Sequence, residues 1–242
     1  MNRDDPLKNI RIVLVEPRHP GNIGAAARAM KTMGLGALHL VAPREFPHPE
    51  AEARAAGAIE VLHAAQVHED LADALSGCVL ACATSSRRRE LRHEMMSVRE
   101  AARELTAQAA SHPVAVVFGS ERTGLDRELA GLCHLWAGVP ANPEYSSLNL
   151  AAAVQVFTYE LRLAATAGEP PPPPEFEPAT FEQVEQLMRH LERTMTDTGF
   201  FDPQNPKRLL QRLRRMLARA RLEAEEVSIL RGFLNAVDRL RR

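Results

Sequence analysis

The chain has 242 residues, a net charge of -1, 45% hydrophobic residues and 25% charged residues, as in ordinary soluble globular proteins. This length allows one domain of about 150 residues and a smaller second unit. The near-zero net charge excludes bulk attraction to nucleic acid, so such a partner would need local basic patches. No run approaches the roughly 18 apolar residues of a membrane span, and MNRDDPLKNI is unlike a secretory signal. The sequence therefore predicts a cytoplasmic protein.

Apolar, β-branched runs alternate with helical patterns along the first two thirds of the chain. The predicted strands are Ile10–Glu16, Leu38–Ala42, Val79–Thr84, Val114–Gly119 and Leu135–Val139. The predicted helices lie near residues 23–33, 50–57, 69–76, 97–110 and 147–166. Alternation of this kind predicts an α/β fold, a parallel sheet with helices on both faces.

A proline-rich segment, GEPPPPPEFEP at residues 168–178, interrupts this alternation. Consecutive prolines cannot continue a helix or a central strand, and they favour an extended polyproline II spacer. We therefore predict an α/β domain at residues 1–166, a linker at 167–178 and a second domain at 179–242.

The second domain has purely helical periodicity. Thr180 and Gln183 form a predicted capping box, and the three amphipathic segments that follow predict a small α-helical bundle. The middle segment carries a basic stripe at spacings of four, three and four residues: Arg208, Arg212, Arg215 and Arg219. A stripe of this kind suits RNA phosphates, although it is also typical of a solvated face whose arginines pair with nearby carboxylates.

Three short segments place Gly, Asn, Ser and charged residues where a predicted strand gives way to a helix. They are NIGAAAR at residues 22–28, VFGSERTGL at 117–125 and VPANPEYSSLNLAAA at 139–153. In open parallel sheets ligands bind at the carboxyl ends of the strands, so the segments are predicted to converge on one active site. Gly24 is predicted to let the backbone approach a ligand closely, with neighbouring N–H groups free to bind a phosphate.

Together these segments resemble the three motifs of the SpoU branch of the SPOUT class, the S-adenosylmethionine-dependent RNA 2'-O-ribose methyltransferases. Stretches at residues 11–35, 141–162 and 190–234 resemble the bacterial TrmJ group, so the resemblance spans nearly the whole chain. It implies a deep trefoil knot in the catalytic domain, which is a rare exception to chain-threading rules. It also implies a homodimer and methylation of cytidine or uridine 32 in the anticodon loop of tRNA.

The resemblance further implies which residues form the site. On the substrate side the catalytic residues are Asn22 and Arg28. The residues implied to bind S-adenosylmethionine are Thr84, Ser85, Ser86, Gly119, Glu121, Val139, Ser146, Ser147 and Leu148. Small and polar groups suit an otherwise apolar slot for adenine and ribose. An alternative interpretation of SSLN at residues 146–149 is a serine cap on the following helix, and the two roles can coexist.

Arg28 lies at the position of the family's key arginine, for which the resemblance implies a general-base role. A guanidinium group normally keeps its proton in proteins, which argues against proton abstraction by this side chain. We therefore expect a cationic Arg28 that holds an RNA phosphate and stabilises the developing alkoxide, with the proton passing to water or phosphate.

The resemblance also gives the basic patches a partner, tRNA. Arg87 and Arg88 follow the Thr84 loop, close to where the substrate nucleotide must enter, and the stripe of the second domain would follow phosphates. Aromatic residues make up only 5% of the chain, which argues against an extensive base-stacking platform.

Other chemistries fail on spacing. GSERTG at residues 119–124 has phosphate-loop glycines, but Leu125 and Asp126 follow where Lys and Ser or Thr are needed. His93 begins an H-E-x-x-H signature that Ser97 interrupts, so no metal site is predicted. Two classes of function remain in competition: a 2'-O-methyltransferase of tRNA position 32, another tRNA position or ribosomal RNA, and a cofactor-binding RNA-interaction protein without catalysis.

Overall fold

The proline run separates two compact units, Met1–Pro173 and Pro174–Arg242. The computed structural model describes residues 5–85, 95–166 and 176–240. Most of the linker predicted at residues 167–178 lies outside these ranges, so its polyproline conformation stays a prediction, as do the proposed domain boundaries.

The first unit is built on one parallel sheet. Its strands are β1 Ile10–Val15, β2 Ala37–Val41, β3 Gln66–His68, β4 Leu80–Thr84, β5 Met95–Ser97, β6 Val114–Phe118 and β7 Leu135–Gly138. They lie in the order β3-β2-β1-β6-β4-β7-β5, and every neighbouring pair is parallel. The five predicted strands are confirmed, each end within one residue. The sequence missed β3 and β5 because each has only three residues, too few for a periodic pattern.

Helices cover both faces of this sheet. Along β6 every residue is buried, and β1 and β4 are nearly so. Because successive side chains of a strand point to opposite faces, unbroken burial requires cover on both. The predicted α/β class is therefore confirmed. The helices of this unit are α1 Pro20–Thr32, α2 Pro49–Ala55, α3 Ile59–His63, α4 Leu71–Ala74, α5 Val98–Ala109, α6 Arg127–Ala130 and α7 Leu150–Thr166.

Gly24 has a packing role, and the predicted ligand-approach role is wrong. Its Cα is buried in α1, and a Cβ built there would lie 2.0 Å from the carbonyl oxygen of Ala51 in α2. The missing side chain therefore lets the backbones of α1 and α2 approach each other. The sequence shows that a glycine permits a close approach, but only the fold shows what approaches it.

Over its described residues, 176–240, the second unit consists of three helices, α8 Phe181–Asp197, α9 Leu209–Ala220 and α10 Ala224–Arg239. Thr180 and Gln183 form the predicted capping box at the start of α8. The small core contains Ala179, Leu187, Met188, Leu217, Val227 and Leu234. On α9 Leu217 packs into this core, whereas the neighbouring Met216 is 50% exposed.

Within the described ranges, no helix has both the length and the apolar character that crossing a membrane requires. The same ranges contain no cluster of three or more His, Cys, Asp or Glu side chains arranged to bind a metal ion.

We expect Gly24→Ala to destabilise the first unit by at least about 2 kcal/mol, because a methyl group has no room against the α2 backbone. Gly57→Ala is the matched control, since a Cβ at Gly57 meets nothing within 4 Å. Urea unfolding followed by the fluorescence of Trp136, the single tryptophan and a buried residue of β7, measures both variants. Equal midpoints for the two variants would contradict the packing role.

A buried histidine, His39, paired with the half-buried His68, makes stability depend on pH. His39 Nδ1 lies 2.9 Å from Nε2 of His68, and burial, followed by the charges of Arg11 and His68, lowers the pKa of His39 to about 4. Between pH 6.5 and 4 the unfolded chain binds a proton that the folded chain does not, so stability is complete above pH 6.5 and falls as the pH is lowered.

In this window we expect the free energy of unfolding to fall by up to about 1.4 kcal/mol per pH unit through His39. His39→Gln should flatten the dependence, whereas His63→Gln, at a side chain that is 65% exposed, should not. Unfolding midpoints measured between pH 4 and 7.5 give the comparison, and parallel curves for the wild type and His39→Gln would refute it.

Candidate active site

A cleft of about 850 Å³, partly open to solvent, lies at the carboxyl ends of β4, β6 and β7, which are neighbours in the sheet. Thr84 ends β4, Gly119 follows β6 and Val139 follows β7. Every predicted cofactor residue that the structure describes lines this cleft: Thr84, Ser85, Gly119, Glu121, Val139, Ser146, Ser147 and Leu148. Ser86 lies outside the described residues. The fold therefore brings the last two predicted segments to one place.

The apolar floor of the cleft was not predicted as part of the site. It includes Phe118, Leu125, Leu150 and Phe157, and the rings of Phe118 and Phe157 meet edge to face with centroids 5.3 Å apart. These residues belong to the buried core. Their pattern in the sequence indicates only the end of a strand and the buried face of a helix, so it gave no sign of a ligand site. Ser120, Arg122, Thr123, Gly124 and Ala153 complete the lining.

The loop after β6 folds back on itself, which requires glycine at position 119. A Cβ at Gly119 would lie 1.9 Å from the backbone nitrogen of Leu125. The N–H of Gly124 donates to the carbonyl of Ser120 over 2.8 Å, and Gly124 has a φ of +69°. The two glycines of GSERTG thus close a tight loop beside the cleft.

A chain of hydrogen bonds joins all three segments. Asn22 of α1 donates from Nδ2 to the Glu121 carboxylate over 2.9 Å, and Asn149 donates from Nδ2 to Oδ1 of Asn22 over 3.0 Å. Asn149 Oδ1 in turn accepts from the backbone N–H groups of Ala151 and Ala152 at the start of α7, over 2.9 and 3.3 Å. We call this chain, from Glu121 through Asn22 and Asn149 to the start of α7, the polar relay.

The polar relay fixes the orientation of both asparagine amides. An ionised carboxylate only accepts hydrogen bonds and a helix N-terminus only donates them, so each amide between them has one consistent orientation. Asn149 therefore caps α7, which begins at Leu150. The alternative in which a serine of SSLN caps this helix is wrong, because the N–H groups that need an acceptor find Asn149.

Glu121 is the acidic end of the polar relay and also holds the chain before α1. Its carboxylate accepts from the backbone N–H groups of Arg18, over 2.8 Å, and His19, over 3.2 Å. Burial opposes ionisation, but hydrogen bonds from the Asn22 side chain and then from these N–H groups outweigh it and lower the pKa of Glu121. The carboxylate therefore aligns the first segment with the second.

Asn22 and Arg28 occupy different environments. Both polar atoms of the Asn22 amide are used within the polar relay. Arg28 is exposed further along α1 and is not among the described residues that line the cleft. Neither residue lines the cleft: Asn22 is hydrogen-bonded to Glu121, which does line it, whereas the Arg28 side chain is exposed at the surface.

The structure describes four of the six predicted RNA-binding arginines. Arg87 and Arg88 lie outside the described residues. In the second unit Arg212 and Arg219 are exposed on α9, Arg208 is exposed just before it, and Arg215 is half-buried. A neighbouring residue, Arg214, forms an ion pair with Glu185 of α8.

The parallel α/β sheet and the solved structures that resemble it identify the fold as that of a SPOUT-class methyltransferase. The structure of TrmJ from Zymomonas mobilis ZM4 matches with a TM-score of 0.84 and 36% identity, over 94% of this chain and 98% of that one. The threading of the trefoil knot itself stays a prediction.

Family models and curated sequences agree with the structural match. The SpoU rRNA Methylase family model matches residues 9–159, and the model of the TrmJ C-terminal domain matches residues 182–242. The tRNA (cytidine/uridine/adenosine-2'-O-)-methyltransferase TrmJ of Pseudomonas aeruginosa is 45% identical over 98% of this chain and 96% of its own length. The Klebsiella pneumoniae tRNA (cytidine/uridine-2'-O-)-methyltransferase TrmJ is 47% identical, over 96% and 97%. The chain therefore belongs to the SpoU methylase family, and within it to the TrmJ group of tRNA methyltransferases.

We expect Glu121→Gln to destabilise the first unit by about 1–3 kcal/mol, because the neutral amide presents N–H groups where the native side chain accepts three hydrogen bonds. Glu128→Gln removes the same charge at an exposed site on α6 and should be nearly neutral. Urea unfolding monitored through Trp136 compares the two, and equal midpoints would show that the carboxylate does not hold the segments together.

Proposed function

We propose that this protein transfers the methyl group of S-adenosylmethionine to the ribose 2'-OH of cytidine or uridine 32 in the tRNA anticodon loop. The observation that carries the proposal is the polar relay, which holds all three motif segments together at one sheet edge, two of them lining the cleft, in a chain of the TrmJ group. Action on tRNA accords with the cytoplasmic location expected from the sequence, which stays a prediction.

The residues of the cleft fit S-adenosylmethionine. The apolar floor of Phe118, Leu150 and Phe157 suits an adenine ring, and the hydroxyls of Thr84 and Ser146 with nearby backbone groups suit its edges and the ribose. When bound, S-adenosylmethionine supplies a methyl group already activated by a sulfonium. The protein then has to align the 2'-oxygen, stabilise its developing charge and exclude competing water.

Arg28 is proposed to stabilise the 2'-alkoxide as a cation and to hold the adjacent phosphate. Its position outside the cleft of its own chain supports a homodimer in which Arg28 of one protomer reaches the cleft of the other. Exposed apolar side chains on α7, Tyr159 at 48% and Leu163 at 39%, are consistent with a protein contact there.

The second unit is proposed to bind tRNA. Arg208, Arg212 and Arg219 expose three positive charges along one side of α9, and the TrmJ C-terminal family model covers the whole unit from residue 182. Together with Arg87 and Arg88, which follow Thr84 in the sequence, these arginines would contact phosphates, whereas the cleft would select the nucleotide.

The range of accepted bases is the finer point that needs a test, because the names of the two relatives differ by adenosine. The competing functions are methylation at another tRNA position, methylation of ribosomal RNA, and cofactor-dependent RNA binding without catalysis. All of them are separated by where, and whether, a labelled methyl group appears.

We expect the full-length protein to methylate tRNA transcripts with C or U at position 32 and to leave a transcript with a 2'-deoxyribose at position 32 unmodified. Arg28→Ala should lower kcat by at least about 100-fold, as loss of a transition-state charge contact does, while Arg44→Ala, at another exposed arginine of the first unit, should not. Transfer of a labelled methyl group with nucleoside mapping provides the measurement. A methyl group at another position, or none, would refute the assignment.

The shared site is tested with two inactive variants, Arg28→Ala and Ser146→Phe, whose ring would fill the cleft. If Arg28 acts across the dimer, a heterodimer of the two variants contains one intact site, and an equal mixture should recover roughly a quarter of wild-type activity. If Arg28 acts within its own chain, no site is intact and the mixture stays inactive.

A further inference from the structure

A second basic surface lies in the C-terminal unit. It is formed by α8 and α10, whereas the stripe described above lies along α9. Helices α8 and α10 form an open cleft of about 660 Å³. Its lining residues are Gln186, Arg189, His190, Arg193, Arg231 and Asn235. On α8 the lining residues lie three, four and seven positions after Gln186, and on α10 they are four apart, so each helix presents one face to the cleft. We call it the α8–α10 cleft.

The α8–α10 cleft carries more positive than negative charge. The Asp238 carboxylate contacts the lining residues His190 and Arg193. Hydrogen bonds from Thr194, then His190, with Arg193 also contributing, lower the pKa of this carboxyl. Thr194 Oγ1 donates over 2.7 Å, and His190 Nε2 lies 3.0 Å from Asp238 Oδ2. Asp238 thus offsets Arg193 in part, and the charges of Arg189 and Arg231 remain.

Arg231 is held toward the cleft with hydrogen-bonding capacity left over. Its Nη1 donates to Oε1 of Gln186 over 2.8 Å, which positions the guanidinium between the two helices. Its Nε is buried and has no acceptor among the described residues. Arg189 is exposed at the mouth of the cleft. The six residues that line the cleft include guanidinium and amide donors and no carboxylate, a composition that matches an oxyanion.

We propose that the α8–α10 cleft binds a backbone phosphate of the substrate tRNA. The proposal rests on tRNA being the substrate, and it adds a contact on α8 and α10 to the one expected along α9. Arg189 and Arg193 would approach the phosphate from α8, with Arg231 and Asn235 on the opposite wall. Two separate phosphate contacts on one small unit would fix its orientation on the RNA, which one stripe alone does not do.

The test compares tRNA binding by the full-length variants Arg189→Gln and Arg189→Gln/Arg193→Gln with that of Arg239→Gln, which removes the same charge from an exposed site on α10 outside the cleft. Loss of one phosphate contact should weaken binding roughly fivefold at 0.15 M salt and reduce the slope of log K against log salt by about 0.7–0.9. Arg239→Gln should change the affinity less than twofold and leave the slope unchanged.

An unchanged affinity and slope for both cleft variants would overturn the proposal, and so would an equal loss in Arg239→Gln, which would indicate a diffuse field instead of a site. The single variant decides the matter if the double variant fails to fold, because Arg189 is exposed. Methylation of tRNA by the wild type is measured in parallel. Absence of methylation would refute the proposed function. Methylation by the wild type, together with unchanged tRNA affinity in the cleft variants, would refute only the proposed phosphate binding in the α8–α10 cleft.

Discussion

The polar relay is the interaction on which the candidate site depends. At one end is a carboxylate, which only accepts hydrogen bonds, and at the other is a helix N-terminus, which only donates them. Each of the two asparagine amides between them therefore has one orientation that satisfies both of its neighbours. In a partly buried network, removal of one member leaves its neighbours without partners. Segments separated by about a hundred residues are therefore held in one arrangement.

The cleft beside the polar relay is shaped by close backbone approaches and by the core. Gly119 admits the loop that returns over the end of β6, and Gly138 admits the carbonyl of Ser85, which would lie 2.7 Å from a Cβ at that position. The floor consists of core side chains, so the walls are supported by the packing that stabilises the sheet. A site supported in this way holds a ligand with little reorganisation.

Charge is separated locally in this nearly neutral chain. Several carboxylates are engaged within the fold: Glu121 by backbone N–H groups, Glu185 by Arg214, and Asp238 by side chains of α8. Arginines at exposed positions of α8 and α9 are left to face solvent. A net charge near zero is therefore compatible with basic surfaces, because some of the acidic groups are used as caps and internal partners.

Local patterns in the sequence predicted most of the secondary structure and a division at the proline run, and the family resemblance supplied the residues expected around the cleft. Periodicity and turn chemistry depend on near neighbours, so β1, β2, β4, β6 and β7 were placed within a residue of their true ends, whereas three-residue edge strands carry too little pattern to detect. The role of Gly24, the cap on α7 and the partners of Glu121 could not be predicted in the same way. Each depends on which distant backbone or side chain arrives beside the residue, and only the packed tertiary structure decides that.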